Sequence, residues 1–252
     1  MAAAPVTSGT PVSPGTTVGP GTARTVAPPT PPRLLPDAEL ERSDVVANST
    51  MNRGRGLTGV NSYARELGFD PVVHLLAGPG PAHWLDLCSG EGHALRAAAR
   101  LLPDNAVLTG VDLVGPLTPR PLPPTLDLVT ASAASWRPTL SYDLITCVHG
   151  LHYLGDKLAL LARAAGWLTA DGLMVADLDP AFLRLADGSP GARPVLAALR
   201  AAGFAYHPRR HRLTLQGRRE VRLPFDYLGA DDAAGPNCTG QPAVASYYRP
   251  RG

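Results

Sequence analysis

Asp86, Cys88, Asp112 and His149 are the residues of this 252-residue chain whose types and positions could do chemistry. Asp86 lies in the apolar run Trp84-Leu85-Asp86-Leu87, and Cys88-Ser89-Gly90-Glu91-Gly92 follows directly. Such a run suits a central parallel strand covered on both faces. Gly90 and Gly92 permit a sharp turn and leave no Cβ in the way of a ligand. A helix from about Glu91 to Leu101 starts at that turn, so its free N–H groups face whatever sits there. A carboxylate at Asp86 repels a pyrophosphate and attracts an ammonium. Leu95 stands where a dinucleotide fold uses a glycine for close helix packing. The turn is therefore suited to a nucleoside with a cationic amino-acid end.

Asp112 ends a second apolar run, 22 positions beyond Gly90. An acid at that place can accept both hydroxyl protons of a ribose. His149 follows a further strand, Tyr142 to Val148, and so faces the crevice at the carboxyl ends of the strands. It could take a proton from an acceptor, or it could be a structural histidine bonded to backbone. The same two readings hold for His152.

On these residues the sequence resembles the class I S-adenosylmethionine-dependent methyltransferases. Asp86-x-Cys88-x-Gly90-x-Gly92 matches their acidic-x-Gly-x-Gly-x-Gly motif, with Cys88 in place of the first glycine, and Tyr142-Asp143 matches the opening of their fourth motif. A positive φ at Cys88 would be strained. The resemblance implies S-adenosyl-L-methionine as cofactor and S-adenosyl-L-homocysteine as product. It also implies a cofactor site drawn from Tyr63, Arg53, Asp86, Cys88, Ser89, Gly90, Gly92, Asp112, Leu113, Ser132, Ala133 and Cys147, with His149 and His152 as catalytic candidates. Many relatives place an acid for the adenine amine where Ser132 stands, so a serine hydroxyl or a backbone carbonyl would do that work. Trp136 could pack on the adenine or in the core. The chain lacks the Pro-Pro-aromatic sequence of nucleic-acid amino methyltransferases after the fourth strand, which argues against a DNA base as acceptor.

The elements that must position these residues alternate between strand and helix over residues 83–203. The fold class is α/β: a Rossmann-like methyltransferase sandwich, with a mostly parallel seven-stranded sheet, a reversed C-terminal hairpin strand and an N-terminal helical lid. Residues 1–36 are expected to be a disordered Pro/Thr/Ala-rich tail, 37–79 the lid, 80–228 the core, and 229–252 a tail that could line the substrate site. On the lid, Gly68 suits a helix C-cap and Asp70-Pro71 a helix start. Among Arg53, Arg55 and Arg65 an arginine could clamp the cofactor's carboxylate by bidentate hydrogen bonds, while each taken singly reads as solvated surface. Residues 115–124 carry five prolines, so the usual crossover helix is expected to be lost there. The strands Arg212–Leu215 and Val221–Phe225 are expected to pair across a turn at Gln216–Arg219.

Net charge is +2 and charged residues make up 17%, which gives no global pull toward nucleic acid. The one basic cluster, Arg209 to Arg212 with Arg218 and Arg219, lacks interleaved aromatics. Lys157 is the only lysine. Cys88, Cys147 and Cys238 have no paired spacing, so neither a disulfide framework nor a metal site is expected. No run approaches the ~20 apolar residues of a membrane span, and the N-terminus has no signal-peptide pattern. A cytoplasmic monomer or homodimer is expected. Its function reads as methyl transfer to a small molecule, a specialised metabolite. The alternatives are a peptide or RNA substrate, or a non-catalytic module that binds S-adenosylmethionine.

Overall fold

The computed structural model describes residues 33–47, 54–115 and 121–251. Seven strands form the main sheet: β1 (His83–Leu87), β2 (Val107–Asp112), β3 (Leu126–Thr130), β4 (Tyr142–Cys147), β5 (Leu168–Asp177), β7 (Ala205–His207) and β8 (Arg212–Gln216). Their spatial order is β3-β2-β1-β4-β5-β8-β7. The first five run parallel, and β8 is antiparallel to both β5 and β7. The sheet reverses beside β1, with β2 on one flank and β4 on the other. In open α/β sheets that switch point is where ligands bind, beyond the carboxyl ends of the strands.

Alternation along β1 sends its side chains to two cores. Trp84 packs with Leu67 of α3 (Tyr63–Leu67), Leu75 of α4 (Pro71–Leu76) and Leu95 of α5 (His93–Ala98). Leu85 and Leu87 pack on the other face, against Leu158 and Leu161 of α6 (Lys157–Trp167) and Leu199 of α7 (Ala192–Ala201). The caps follow from sequence. Ser62 accepts the Arg65 N–H and Gly68 ends α3 at φ 78°, while Asp70 accepts the Val72 N–H ahead of Pro71 in α4.

Three features depart from the sequence reading. Val221–Phe225 does not pair with β8, whose partners are β5 and β7. Phe225 instead opens β9 (Phe225–Asp231), which pairs antiparallel with β10 (Ala245–Pro250), and β10 pairs parallel with β6 (Leu183–Leu185). The segment 229–252, expected as a tail, thus holds most of a second, three-stranded sheet. The expected disordered tail lies outside the described residues up to residue 32. Leu35, assigned to it, is buried and exchanges two backbone hydrogen bonds with Ala230, of 2.7 and 3.0 Å. Two short helices follow, α1 (Asp37–Leu40) and α2 (Asp44–Ala47). Among the described residues no helix joins β2 to β3, as the prolines imply.

Candidate active site

A cleft opens at the carboxyl ends of β1, β2, β3 and β4, the place where open α/β sheets bind ligands. Cys88, Gly90, Asp112, Leu113, Ser132, Ala133 and His149 line it. These are seven of the residues singled out from sequence, and four separate strand ends bring them together.

The turn after β1 has the left-handed backbone its glycines suggested, with φ 60° at Gly90 and 68° at Gly92. Cys88 shares it, at φ 60°, a conformation that costs a non-glycine residue ~1–2 kcal/mol. Asp112 holds the turn in place. One of its oxygens accepts the Gly90 N–H at 2.8 Å and the other the Val114 N–H at 3.0 Å.

Asp86 is absent from the cleft wall. It is buried, and its carboxylate accepts the Tyr63 hydroxyl and the Thr146 hydroxyl, each at 2.6 Å. Thr146 sits opposite Asp86 in the β1–β4 register and accepts the Trp84 indole N–H at 2.8 Å, so its own proton goes to Asp86. Burial pushes the Asp86 pKa up to about 7 in spite of those two donors. Asp86 thus forms a buried brace between lid and sheet. Tyr63 spends its hydroxyl on that brace, and Ser89, Gly92 and Cys147 also lie off the cleft wall. Arg53 lies outside the described residues.

Cys147 meets Cys88 all the same. The neighbouring Cys147 thiol, together with burial, pushes the Cys88 thiol well up. The sequence reading found no second thiol near either cysteine. The parallel register of β1 and β4 supplies one, because it sets residues 60 positions apart side by side, as Asp86 and Thr146 are, and so brings Cys88 and Cys147 to neighbouring strand ends.

His149 is the polar centre of the cleft floor. It takes φ 59°, and its backbone N–H donates to Asp177 at 3.1 Å. Its ring lies between two carboxylates, Nε2 at 3.6 Å from Glu66 and Nδ1 at 3.7 Å from Asp177. The imidazole beside Glu66 holds that carboxyl below its usual range, whereas burial pushes Asp177 up. Arg55 is not the solvated arginine expected from sequence. It is buried and pairs with Glu66 at 2.8 Å.

His152 stands behind His149, ring on ring with centroids 5.8 Å apart, and away from the cleft wall. Burial pushes its pKa down to about 3, so near neutrality it is an uncharged packing residue and a poor proton acceptor. Trp136 packs edge-on against Trp167 rather than over the cleft.

The roof comes from the segment expected to be the lid, but from residues not singled out there. Asp37, Leu40 and Glu41 of the N-terminal segment line the cleft, yet in sequence they show only a helix start with acids. Two groups of potential metal ligands, Glu66–His149–Asp177 and Asp179–His211–Cys238, also converge, each with ligand atoms within 4.8 Å. They come from residues far apart in the chain, so no spacing announces them. Arg55 already occupies Glu66 in the first, and in the second Asp179 accepts the N–H groups of Ala181 and Cys238.

The strand order, the turn after β1 and the acid ending β2 define a class I methyltransferase fold. The family model described as a methyltransferase domain matches residues 60–212, well over half of the chain. The chain belongs to that family. Comparison with curated proteins yields no match. Among solved structures it is similar to the plantazolicin methyltransferase BpumL in complex with SAH, at 16% identity and TM-score 0.40 over 57% of each chain. It is also similar to SAM-bound CalS10, an amino pentose methyltransferase from Micromonospora echinaspora involved in calicheamicin biosynthesis. That match has 20% identity and TM-score 0.36 over 53% of this chain and 55% of the other. A third is the cyclase SpnF, at 19% identity and TM-score 0.41 over 59% and 60%. The chain thus spans less than two thirds of the length of each. Among the described residues no helix is long and apolar enough to cross a membrane.

Proposed function

We propose that this protein transfers a methyl group from S-adenosylmethionine to a small molecule, with a specialised metabolite as the acceptor class. One observation carries the reading: Cys88 and Gly90, Asp112, and His149 all face one cleft at the switch point of the sheet. The residues fit such a cofactor. The Cys88–Gly90 turn keeps side chains out of the way, Asp112 is a fixed acceptor for ribose hydroxyls, and Leu113 and Ala133 offer apolar walls. Bound there, the sulfonium supplies an already activated methyl group.

The chain's own task is then to align the acceptor and exclude water. Where the acceptor must lose a proton, His149 takes it, and Glu66 and Asp177 stabilise the imidazolium that forms. A roof of short helices suits a small acceptor. The basic cluster gives little support to RNA, because Arg212 turns inward to donate to the Leu67 carbonyl.

Calorimetric titration with S-adenosylmethionine, S-adenosylhomocysteine and NAD tests the reading. Micromolar binding of the two sulfur nucleosides without NAD supports it, and no binding of either overturns it. Asp112→Ala should weaken both by ~tenfold or more, as for loss of a charge-assisted bond pair.

A further inference from the structure

We propose that Glu41, carried on the N-terminal segment, selects a 6-aminopurine at the far end of the cleft. The inference rests on the cofactor reading above and deepens it, by naming the group that reads the base.

The direction of the cleft comes from the sheet. From β1 the order runs outward through β2 to β3, so the wall passes from the Cys88–Gly90 turn, past Asp112, to Ser132. A nucleoside with its ribose at Asp112 and its sulfur toward His149 therefore sends its base toward Ser132. Leu113, Ala133, Val45 and Val46 give the cleft an apolar lining. A flat aromatic base fits against such a lining.

The polar end of the cleft there is a carboxylate. Ser132 Oγ accepts the Ala134 N–H at 3.1 Å, so its own proton is directed to Glu41, to which it is hydrogen-bonded. A carboxylate only accepts hydrogen bonds. It complements an exocyclic amine, which donates, and it repels a 6-oxo group, which accepts.

Glu41 is also held in place. Asp37, one helical turn before it, accepts the Tyr227 hydroxyl at 2.9 Å. Leu40 is buried in a cluster with Ala230 of β9 and Val244, the residue before β10. The base-reading group thus comes from outside the main sheet and is fixed by the C-terminal strands.

The test is calorimetry on the full chain with S-adenosylhomocysteine and its S-inosyl counterpart, in which a 6-oxo group replaces the amine. The wild type should prefer the adenosyl compound by ~tenfold or more, the scale of one charge-assisted hydrogen bond exchanged for a repulsive contact. Glu41→Gln, whose amide can donate as well as accept, should bring the two affinities to within ~threefold. Both ligands are measured on the same protein, so the ratio is insensitive to a general loss of folding. An unchanged ratio in Glu41→Gln overturns the role of Glu41 and leaves the cofactor reading standing. If the wild type binds neither compound, the cofactor reading itself fails and takes this inference with it.

Discussion

A Cβ placed on Gly150 would stand 2.5 Å from the Cβ of Cys88 and 2.8 Å from its sulfur. The glycine after β4 is thus the counterpart of the cysteine after β1, where the family carries glycine. One residue gives up its side chain where the other has gained one. The cysteine still bears the cost of its left-handed backbone.

That pairing predicts a rescue. Gly150→Ala should destabilise the protein by ~1–3 kcal/mol, as overpacking does, and distort the turn after β1. Cys88→Gly alone should be neutral or stabilising, because it relieves backbone strain. In the double variant Cys88→Gly should restore much of what Gly150→Ala loses, with Cys147 still crowding the site. Urea denaturation of the four proteins measures the coupling. Strict additivity would separate the two residues.

Asp86 predicts a pH dependence of stability. Its pKa is about 7 in the folded protein against an ordinary 3.8. Between those values the folded state holds a proton that the unfolded state has released. Stability therefore falls as pH rises from about 4 to about 7, by up to ~4 kcal/mol at ~1.4 kcal/mol per pH unit. Asp86→Asn should flatten that segment of the curve. Denaturant midpoints at pH 5 and 7.5 in both proteins test this, and equal slopes would remove Asp86 as the cause.

Much of the turn after β1 was legible because its signals are local. A strand end, two glycines and an acid one strand later are fixed by backbone geometry and by 22 residues of spacing. The second sheet was not legible. Alternation shows that Phe225–Asp231 can be a strand but not which strand it meets, and β10 lies beyond a long loop. Glu41 was unreadable for a related reason, since its partner Ser132 is 91 residues away. Asp86 shows the same limit from within a motif that was legible. The Tyr63 hydroxyl that its carboxylate accepts comes from 23 residues upstream, a distance that no spacing announces.

His149 predicts a separation of binding from turnover. Asn tolerates its left-handed backbone, so His149→Asn should keep cofactor affinity. With an acceptor that must lose a proton, kcat should fall by ~100-fold or more. His152→Gln, off the cleft wall, should stay within ~fivefold if its role is packing. Steady-state kinetics with an identified acceptor decides between them. Comparable losses in both variants would return His149 to a structural role.

Lys157 predicts a cost for loosening the second sheet. It is buried at the start of α6, and its ammonium donates to the Leu154 and Val244 carbonyls, each at 2.8 Å, and to Ser246 Oγ at 2.7 Å. Lys157→Met leaves those acceptors unpaired and should cost ~2–4 kcal/mol. Burial pushes the lysine pKa down to about 7, from an ordinary 10.5. Above about 7 the folded state gives up its proton before the unfolded state does, so stability rises with pH toward 10.5. The variant should lose that rise, as thermal melts at pH 7 and 9.5 would show.

The same residue gives the protein an unusual reactivity. Its one side-chain amine faces the seam between α6 and β10, out of reach of amine-directed reagents and lysine-specific proteases. Acylation or cleavage at position 157 thus requires the seam to part, and its rate clocks how often the C-terminal strands let go.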